Sequence, residues 1–411
     1  PTIWKSQTGD VACDHYNRYA QDVELMSGLG LQAYRLSINW ARVMPDGVGR
    51  VNEEGLAFYD RLIDELLARK ITPWVTLFHW DYPQALALKG GWQHAESSHW
   101  FAEYAASVVD RLSDRVRHWI TINEPQIFIG HGHKIGDHAP GLKLPAKDWL
   151  LAGHNALLAH GRAVQTIRAR AKTTPTVGWA PCARVDYPAT DSPADVAAAR
   201  RQFFSVHTRD AWNNAWWGDA AILGRYPEDG LALFGADAPK PASGDMATIA
   251  QPLDFFGVNI YSGEAYRAGP DGQPVHVPHA PGCPASAFRW PIVPQSVYWA
   301  PRFLHERYRL PIYITENGMA NTDFVSEDGQ VHDPQRIEYT RTHLREIARA
   351  IKDTVDIRGY FHWSILDNFE WAEGYSQRFG LIHVDFATQK RTLKDSAHWY
   401  RKTITERGAS L

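Results

Sequence analysis

Cysteine is scarce in this 411-residue chain: Cys13, Cys182 and Cys283 are the only three, far apart and odd in number. They cannot form a disulfide framework, so each is expected to be a small buried hydrophobe in a reducing, cytoplasmic setting. Long apolar runs are missing too. No stretch reaches the roughly 20 residues that a bilayer span needs, and the first twenty residues show no basic-then-apolar leader pattern. Excess charge is also absent: the formal net charge is -3, with both signs spread along the chain. That distribution provides neither a basic footprint for nucleic acid nor a polybasic membrane patch, and a small-molecule partner is expected instead. It says nothing about oligomeric state.

Phosphate-binding loops are lacking as well. The glycines of "GLG" at Gly28 and "GGW" at Gly90 are not followed by the Lys and Ser/Thr that such loops use, so no nucleotide cofactor is expected. "HGHKIGDH" offers His131, His133, Asp137 and His138. Its composition is that of a loop and its histidines stand at i, i+2 without a cysteine, so no metal is expected there.

What is abundant is tryptophan, with seventeen residues in a chain that is 44% apolar and 22% charged. A large core is possible, and no linker divides the chain, which reads as one domain over residues 1–411. About half of the tryptophans are expected to fill that core; the others, beside strand ends, would present flat faces on which sugar rings stack.

Seven strand-like runs recur, most of them apolar on both faces as in a covered parallel sheet. They are "QAYRLSINW" from Gln32, "ITPWVTLFHW" from Ile71, "VRHWITINE" from Val116, "TVGWAPCARV" from Thr176, "DFFGVNIYS" from Asp254, "PIYITENG" from Pro311 and "IRGYFHWSILD" from Ile357. Helical stretches separate them. In "GLAFYDRLIDELLARK" the residues Leu56, Tyr59, Leu62, Ile63, Leu66 and Leu67 share one face. Alternation over this length predicts an α/β fold, a closed (β/α)8 TIM barrel, although the strand count is one short. Nothing before Asp14 reads as a strand.

Polar residues collect where these strands end. The ends supply Arg35 and Asn39; His79, Trp80 and Asp81; Asn123 and Glu124; Asn259 and Tyr261; Glu316 and Asn317; then Trp363, Glu370 and Trp371. Barrel enzymes keep their chemistry on that face. Two glutamates on separate strands, amid tryptophans and amide or imidazole groups, suit acetal cleavage, which needs one carboxylic acid for the leaving oxygen and one carboxylate facing the anomeric carbon. Arg35 and Tyr261 beside Glu316 would favour an ionised nucleophile. The apolar surroundings of Glu124 would keep it protonated as an acid.

At these residues the sequence resembles glycoside hydrolase family 1. "TINEP" is similar to the family's acid/base motif and "ITENG" to its nucleophile motif, and the likeness runs on through "TGDVACDHYNRY", "YRLSINWARV", "FHWDYPQAL", "HAPG", "DFFGVNIYS" and "DNFEWAEGYSQRFGL". The resemblance implies a (β/α)8 barrel and a retaining double displacement on β-glucosides or oligosaccharides. Glu124 would be acid/base and Glu316 nucleophile. It also implies that Asn123 touches the sugar 2-hydroxyl, that His79, Trp80, Glu370 and Trp371 bind the remoter hydroxyls, and that Trp363 is the stacking floor. Arg35, Asn259 and Tyr261 would orient the nucleophile, Phe379 would wall the 6-position, and Trp290 would stack on the leaving group.

Two branches of the family fit less well. Thioglucosidases carry glutamine where Glu124 stands, and phospho-glycosidases replace the region of Glu370 with a serine- and lysine-containing set. Glucose, fucose and galactose stay as alternatives in the sugar site.

The chain departs from the family in lacking the usual opening strand "FLWGxATxxYQxEG", which is expected ahead of Pro1, and in "RWPIVPQSVYW", which alters the leaving-group side. Two rival readings stand beside hydrolysis. A barrel that only binds sugar would be expected to lack one glutamate, whereas transglycosylation would use the same intermediate.

Overall fold

The computed structural model describes residues 2–411. Seven parallel strands form where the apolar runs predict them: β1 Ala33–Ser37, β2 Thr72–Phe78, β3 His118–Asn123, β4 Thr176–Ala180, β5 Phe256–Asn259, β6 Ile312–Asn317 and β7 Ile357–His362. Eight principal helices alternate with them, beginning with a helix: α1 His15–Gly28, α2 Glu53–Ala68, α3 Ser97–Leu112, α4 Ala146–Arg170, α5 Pro193–Phe204, α6 Ser296–Tyr308, α7 Pro334–Lys352 and α8 Asp395–Thr405. None is long and apolar enough to cross a membrane.

The strands pair in sequence order, β1 to β4 in one run and β5, β6 and β7 in another. The two runs are joined by backbone bonds: Asp254 N to Val177 O at 2.8 Å, Asn259 N to Pro181 O at 3.0 Å and Ala183 N to Asn259 O at 3.0 Å. Among the described residues β1 and β7 each pair on one side only. Between them lies a cavity of about 240 Å³ lined by Leu31, Tyr34, Tyr360, His362 and Leu381 among others. The strand expected ahead of Pro1 lies outside the described residues.

Alternation along each strand builds the interior in layers. The lower layer is apolar: Trp74, Ile120, Ala180 and Phe255 are buried against Ala33, Tyr313 and Phe361. Two residues further along, Arg35 of β1, Thr76 of β2 and Thr315 of β6 form a polar layer linked by Arg35 hydrogen bonds. Above it the register shifts. Irregularities fall between Ile120 and Asn123, between Val258 and Asn259, and between Tyr360 and His362, all at carboxyl ends. Such shifts re-aim side chains, and here strict alternation would have pointed Thr315 and Glu316 to opposite faces.

Four expectations are corrected. On α2 Phe58 is buried, and Leu67, placed on the apolar face, is 37% exposed. The "HGHKIGDH" segment is not a loop at its start: Gly130–Ile135 continues the helix Pro125–Ile129 as a π-helical turn. Of the cysteines only Cys182 is buried, while Cys13 and Cys283 are half-buried; all three are free thiols. Asn39, at the end of β1, caps the short helix Trp40–Val43 through Arg42 N. Nine of the seventeen tryptophans are buried, close to the expected half.

Candidate active site

Glu316 ends β6 and is 4% exposed. Arg35 Nη1 donates to its Oε1 at 2.5 Å and Tyr261 OH to its Oε2 at 2.6 Å, so both oxygens are held from opposite sides. The same guanidinium binds Thr76 Oγ1 at 3.2 Å and, through Nη2, Asn123 Oδ1 at 2.6 Å. One cation thus ties β2, β3 and β6 to its own β1 and fixes one carboxylate rotamer.

Glu124, one residue past β3, is 6% exposed. Its N–H bonds Ala180 O at 2.8 Å, and its Oε1 accepts from Asn259 Nδ2 at 2.8 Å. Asn259 Nδ2 also reaches Asn123 Oδ1 at 3.0 Å, while Asn259 Oδ1 accepts from Thr315 Oγ1 at 2.6 Å. Burial first, and then the charge of Glu316, push the Glu124 carboxyl well above its ordinary range. Glu370 behaves likewise: burial, then Glu316 and Glu124, raise it to about 8. The two strand-end glutamates therefore lie close enough to feel each other's charge, yet they are held differently.

The surrounding rings form one wall. His79 lies nearly parallel to Trp363 at 5.7 Å and to Trp371 at 6.0 Å, and Trp80 packs on Trp371 at 4.7 Å. Burial, followed by the charge of Arg35, lowers the His79 pKa well below its usual value, so the ring is neutral. His79 Nε2 then accepts from Asn123 Nδ2 at 3.3 Å, and Trp80 Nε1 donates to Asn123 O at 3.1 Å. On the opposite side Tyr261 meets Trp290 at 5.3 Å and Phe379 at 6.1 Å. Trp290, 37% exposed, stacks on Phe288 at 4.6 Å. A cleft of about 680 Å³ meets the site at Arg35, His79 and Trp363, and neither glutamate is among its lining residues.

Three of these residues have left-handed backbones: Trp80 at φ +82°, Glu124 at +44° and Trp371 at +44°. Non-glycine residues rarely adopt this region, and each instance costs on the order of 1–3 kcal/mol. The strain concentrates in residues of this one site, at and just beyond the strand ends.

The residues to which the sequence gives a catalytic, sugar-binding or orienting role are brought into this one region, whereas Asn317 bonds Ile260 O and the hydroxyls of Tyr339 and Tyr360 instead. The sequence did not single out Thr76, Thr315 or Phe288. The placement of Thr76 and Thr315 two residues beyond the apolar floor is the one signal that could have found them. His131 Nδ1 pairs with Asp137 at 3.0 Å, with His138 beside them so that ligand-type atoms of the three lie within 4.8 Å. This is tighter than the spacing suggests, and the His131–Asp137 pair accounts for the grouping.

A buried carboxylate pair with an aromatic wall at the carboxyl ends of parallel barrel strands is the site of a sugar-cleaving hydrolase. The family model for glycosyl hydrolase family 1 matches residues 1–409, and the chain belongs to that family of glycoside hydrolases, which are (β/α)8 barrels. It is 44% identical over 408 residues to "Beta-glucosidase A" of Thermotoga maritima, covering 99% of this chain and 90% of that one. It is also 44% identical over 411 residues to "1,4-beta-D-glucan glucohydrolase" of Thermotoga neapolitana, with the same shares covered. The solved structure of the Thermotoga maritima β-glucosidase in complex with glucoimidazole superposes with a TM-score of 0.90 at 43% identity, over 99% of this chain and 90% of that one.

Proposed function

We propose that the protein hydrolyses terminal β-D-glucosides with retention of configuration, Glu316 acting as nucleophile and Glu124 as acid/base. The observation that carries this reading is the unequal treatment of two neighbouring buried carboxylates. Glu316 is gripped by a cation and a phenol, whereas burial keeps Glu124 protonated. Opposed environments of this kind assign the acid and the base.

In the first step Glu316 attacks the anomeric carbon as Glu124 protonates the departing oxygen, leaving a glycosyl ester on Glu316. In the second, Glu124 takes a proton from water, which displaces the ester from the opposite face; two inversions restore the β configuration. Asn123 Oδ1 is occupied by Arg35 and Asn259, and one of its two amide hydrogens by His79. The other is available to the sugar 2-hydroxyl. Trp363 forms the floor; His79, Trp80, Glu370 and Trp371 receive the remoter hydroxyls; Phe379 closes the far wall and Trp290 faces the leaving group. Beside Glu370 the nearest charged groups are further carboxylates, which disfavour a 6-phosphate. A cytoplasmic location is part of the reading and agrees with the three free thiols.

The test is to mix the protein with an aryl β-glucoside and follow by proton NMR which anomer of glucose appears first. β-Glucose is expected. α-Glucose first would exclude direct attack by Glu316, and transfer products dominating at high substrate would make the enzyme a transglycosylase.

A further inference from the structure

Asn317 stands next to the proposed nucleophile, yet its buried side chain is bonded wholly within the protein. Its Nδ2 donates to Ile260 O at 2.7 Å and to Tyr339 OH at 2.9 Å, and its Oδ1 accepts from Tyr360 OH at 2.9 Å. Both amide hydrogens and the amide oxygen are thereby engaged. Tyr339, on α7, is buried as well. A phenol carries a single hydrogen, and Tyr339, having accepted from Asn317, donates its own to Tyr261 O at 3.2 Å. One turn further along α7, His343 stacks on the Tyr339 ring at 3.8 Å, and its Nδ1 donates to Tyr339 O at 2.7 Å. Burial lowers the His343 pKa to about 4, so this brace is a neutral imidazole.

The two grips on Glu316 are therefore supported differently. Arg35 lies within β1, where the ladder with β2 sets its main chain. Tyr261 lies past the end of β5, outside any strand. Its main chain is held on one side by Ile260, whose N donates to Glu316 O at 2.9 Å and whose O accepts from Asn317, and on the other by the Tyr339 hydroxyl. Its phenol then reaches Glu316 Oε2 at 2.6 Å. Glu316, Asn317, Tyr339 and Tyr261 make a closed ring of covalent and hydrogen bonds. We infer that Tyr339 is a positioning residue for Glu316, acting through Tyr261: its hydroxyl joins the amide beside the nucleophile to the carbonyl of the residue whose phenol holds it. The inference rests on the nucleophile reading of Glu316. A displaced phenol leaves one carboxylate oxygen unheld, and attack on the anomeric carbon depends steeply on aim.

The experiment is a double-mutant cycle on kcat/KM with an aryl β-glucoside, comparing the parent, Tyr339→Phe, Tyr261→Phe and the two combined. Tyr261→Phe removes a hydrogen bond to a charged group and should cost about 10–100-fold. Tyr339→Phe keeps the ring on His343 and should cost about 3–10-fold in the parent. In the Tyr261→Phe background, where no phenol remains to be placed, the same change should cost less than about 2-fold. A merely structural role predicts equal factors in both backgrounds. Equal factors, a fully active Tyr339→Phe or a fully active Tyr261→Phe would each overturn the inference. Asn317→Ala releases the Tyr339 hydroxyl from its other side and should show the same dependence on background, so it carries the comparison if Tyr339→Phe does not fold. Glu316→Gly is the control: activity kept without azide would show that the nucleophile assignment itself is wrong.

Discussion

Two clusters of three carboxylates, buried except for the half-buried Glu370, differ in their cations. In the first, Asp323, Asp333 and Asp367 share Arg336, Lys394 and Arg378. Arg336 Nη2 meets Asp323 at 2.7 Å, Lys394 Nζ meets Asp323 at 2.5 Å and Asp367 at 2.8 Å, and Arg378 meets Asp367 at 2.6 Å. Arg336 also pairs with Asp333, which accepts from Ser396 Oγ at 2.6 Å. In the second, Glu124, Glu316 and Glu370 have Arg35 alone. The outcomes diverge. Burial opposes ionisation of Asp323, but Arg336 and Lys394 outweigh it and its pKa falls. Glu124 and Glu370 rise instead. Asp333 is an exception in the first cluster, where burial outweighs its partners.

The difference separates scaffold from reactor. Charges matched by opposite charges and hydrogen bonds hold a shape; a buried excess of one sign holds a proton. The two clusters are also connected, since Asp367 and Arg378 bracket the loop that carries Glu370 and Trp371, with Phe379 next in the chain. The matched cluster fixes the loop that the unmatched one uses.

This contrast can be broken most forcefully at Glu316, the proposed nucleophile. Glu316→Gly is expected to lower kcat by about 10⁴–10⁶-fold, with added azide restoring turnover and giving the inverted product; rescue with retention would contradict the role. Next, Glu124→Ala should reduce kcat/KM by about 10²–10⁴-fold for poor leaving groups and far less for good ones, as only the former need an acid. Equal losses across a leaving-group series would remove Glu124 from that step.

The matched cluster is tested by Arg336→Ala, which leaves Asp323 and Asp333 buried without their shared cation. A loss of about 3–5 kcal/mol in denaturant unfolding is expected, and unchanged stability would erase the distinction. The smallest effect concerns Glu370. Its folded pKa of about 8 lies above the ordinary carboxylate range, so its cost to folding is absent at low pH and grows as pH rises toward 8. Glu370→Gln should therefore raise Tm more at pH 8 than at pH 5. A difference independent of pH would mean that Glu370 is not held neutral.

The strands were legible because β2, β3 and β6 are apolar on both faces, and their carboxyl ends collect polar residues in an order that needs no knowledge of contacts. Glu124 and Glu316 were legible for the same reason. The register shifts were not, since nothing in "PIYITENG" announces that Glu316 will leave the alternation that Tyr313 and Thr315 keep. The matched cluster was equally hidden: nothing in the sequence joins Asp323 to Arg336 or Asp367 to Lys394 until the fold brings together partners from 13 to 71 residues apart. The bond from Gln126 Nε2 to Cys182 O was not legible either, because it runs between an amide and a backbone on different units.

The left-handed peptides at Trp80, Glu124 and Trp371 carry a lesson for anyone wishing to transplant this chemistry. Copying the identities of the site's side chains onto another barrel would reproduce the inventory while losing the aim, because three of those side chains point where they do through a main-chain twist that a recipient scaffold would relax. What has to be grafted is the bend together with the surroundings that hold it bent.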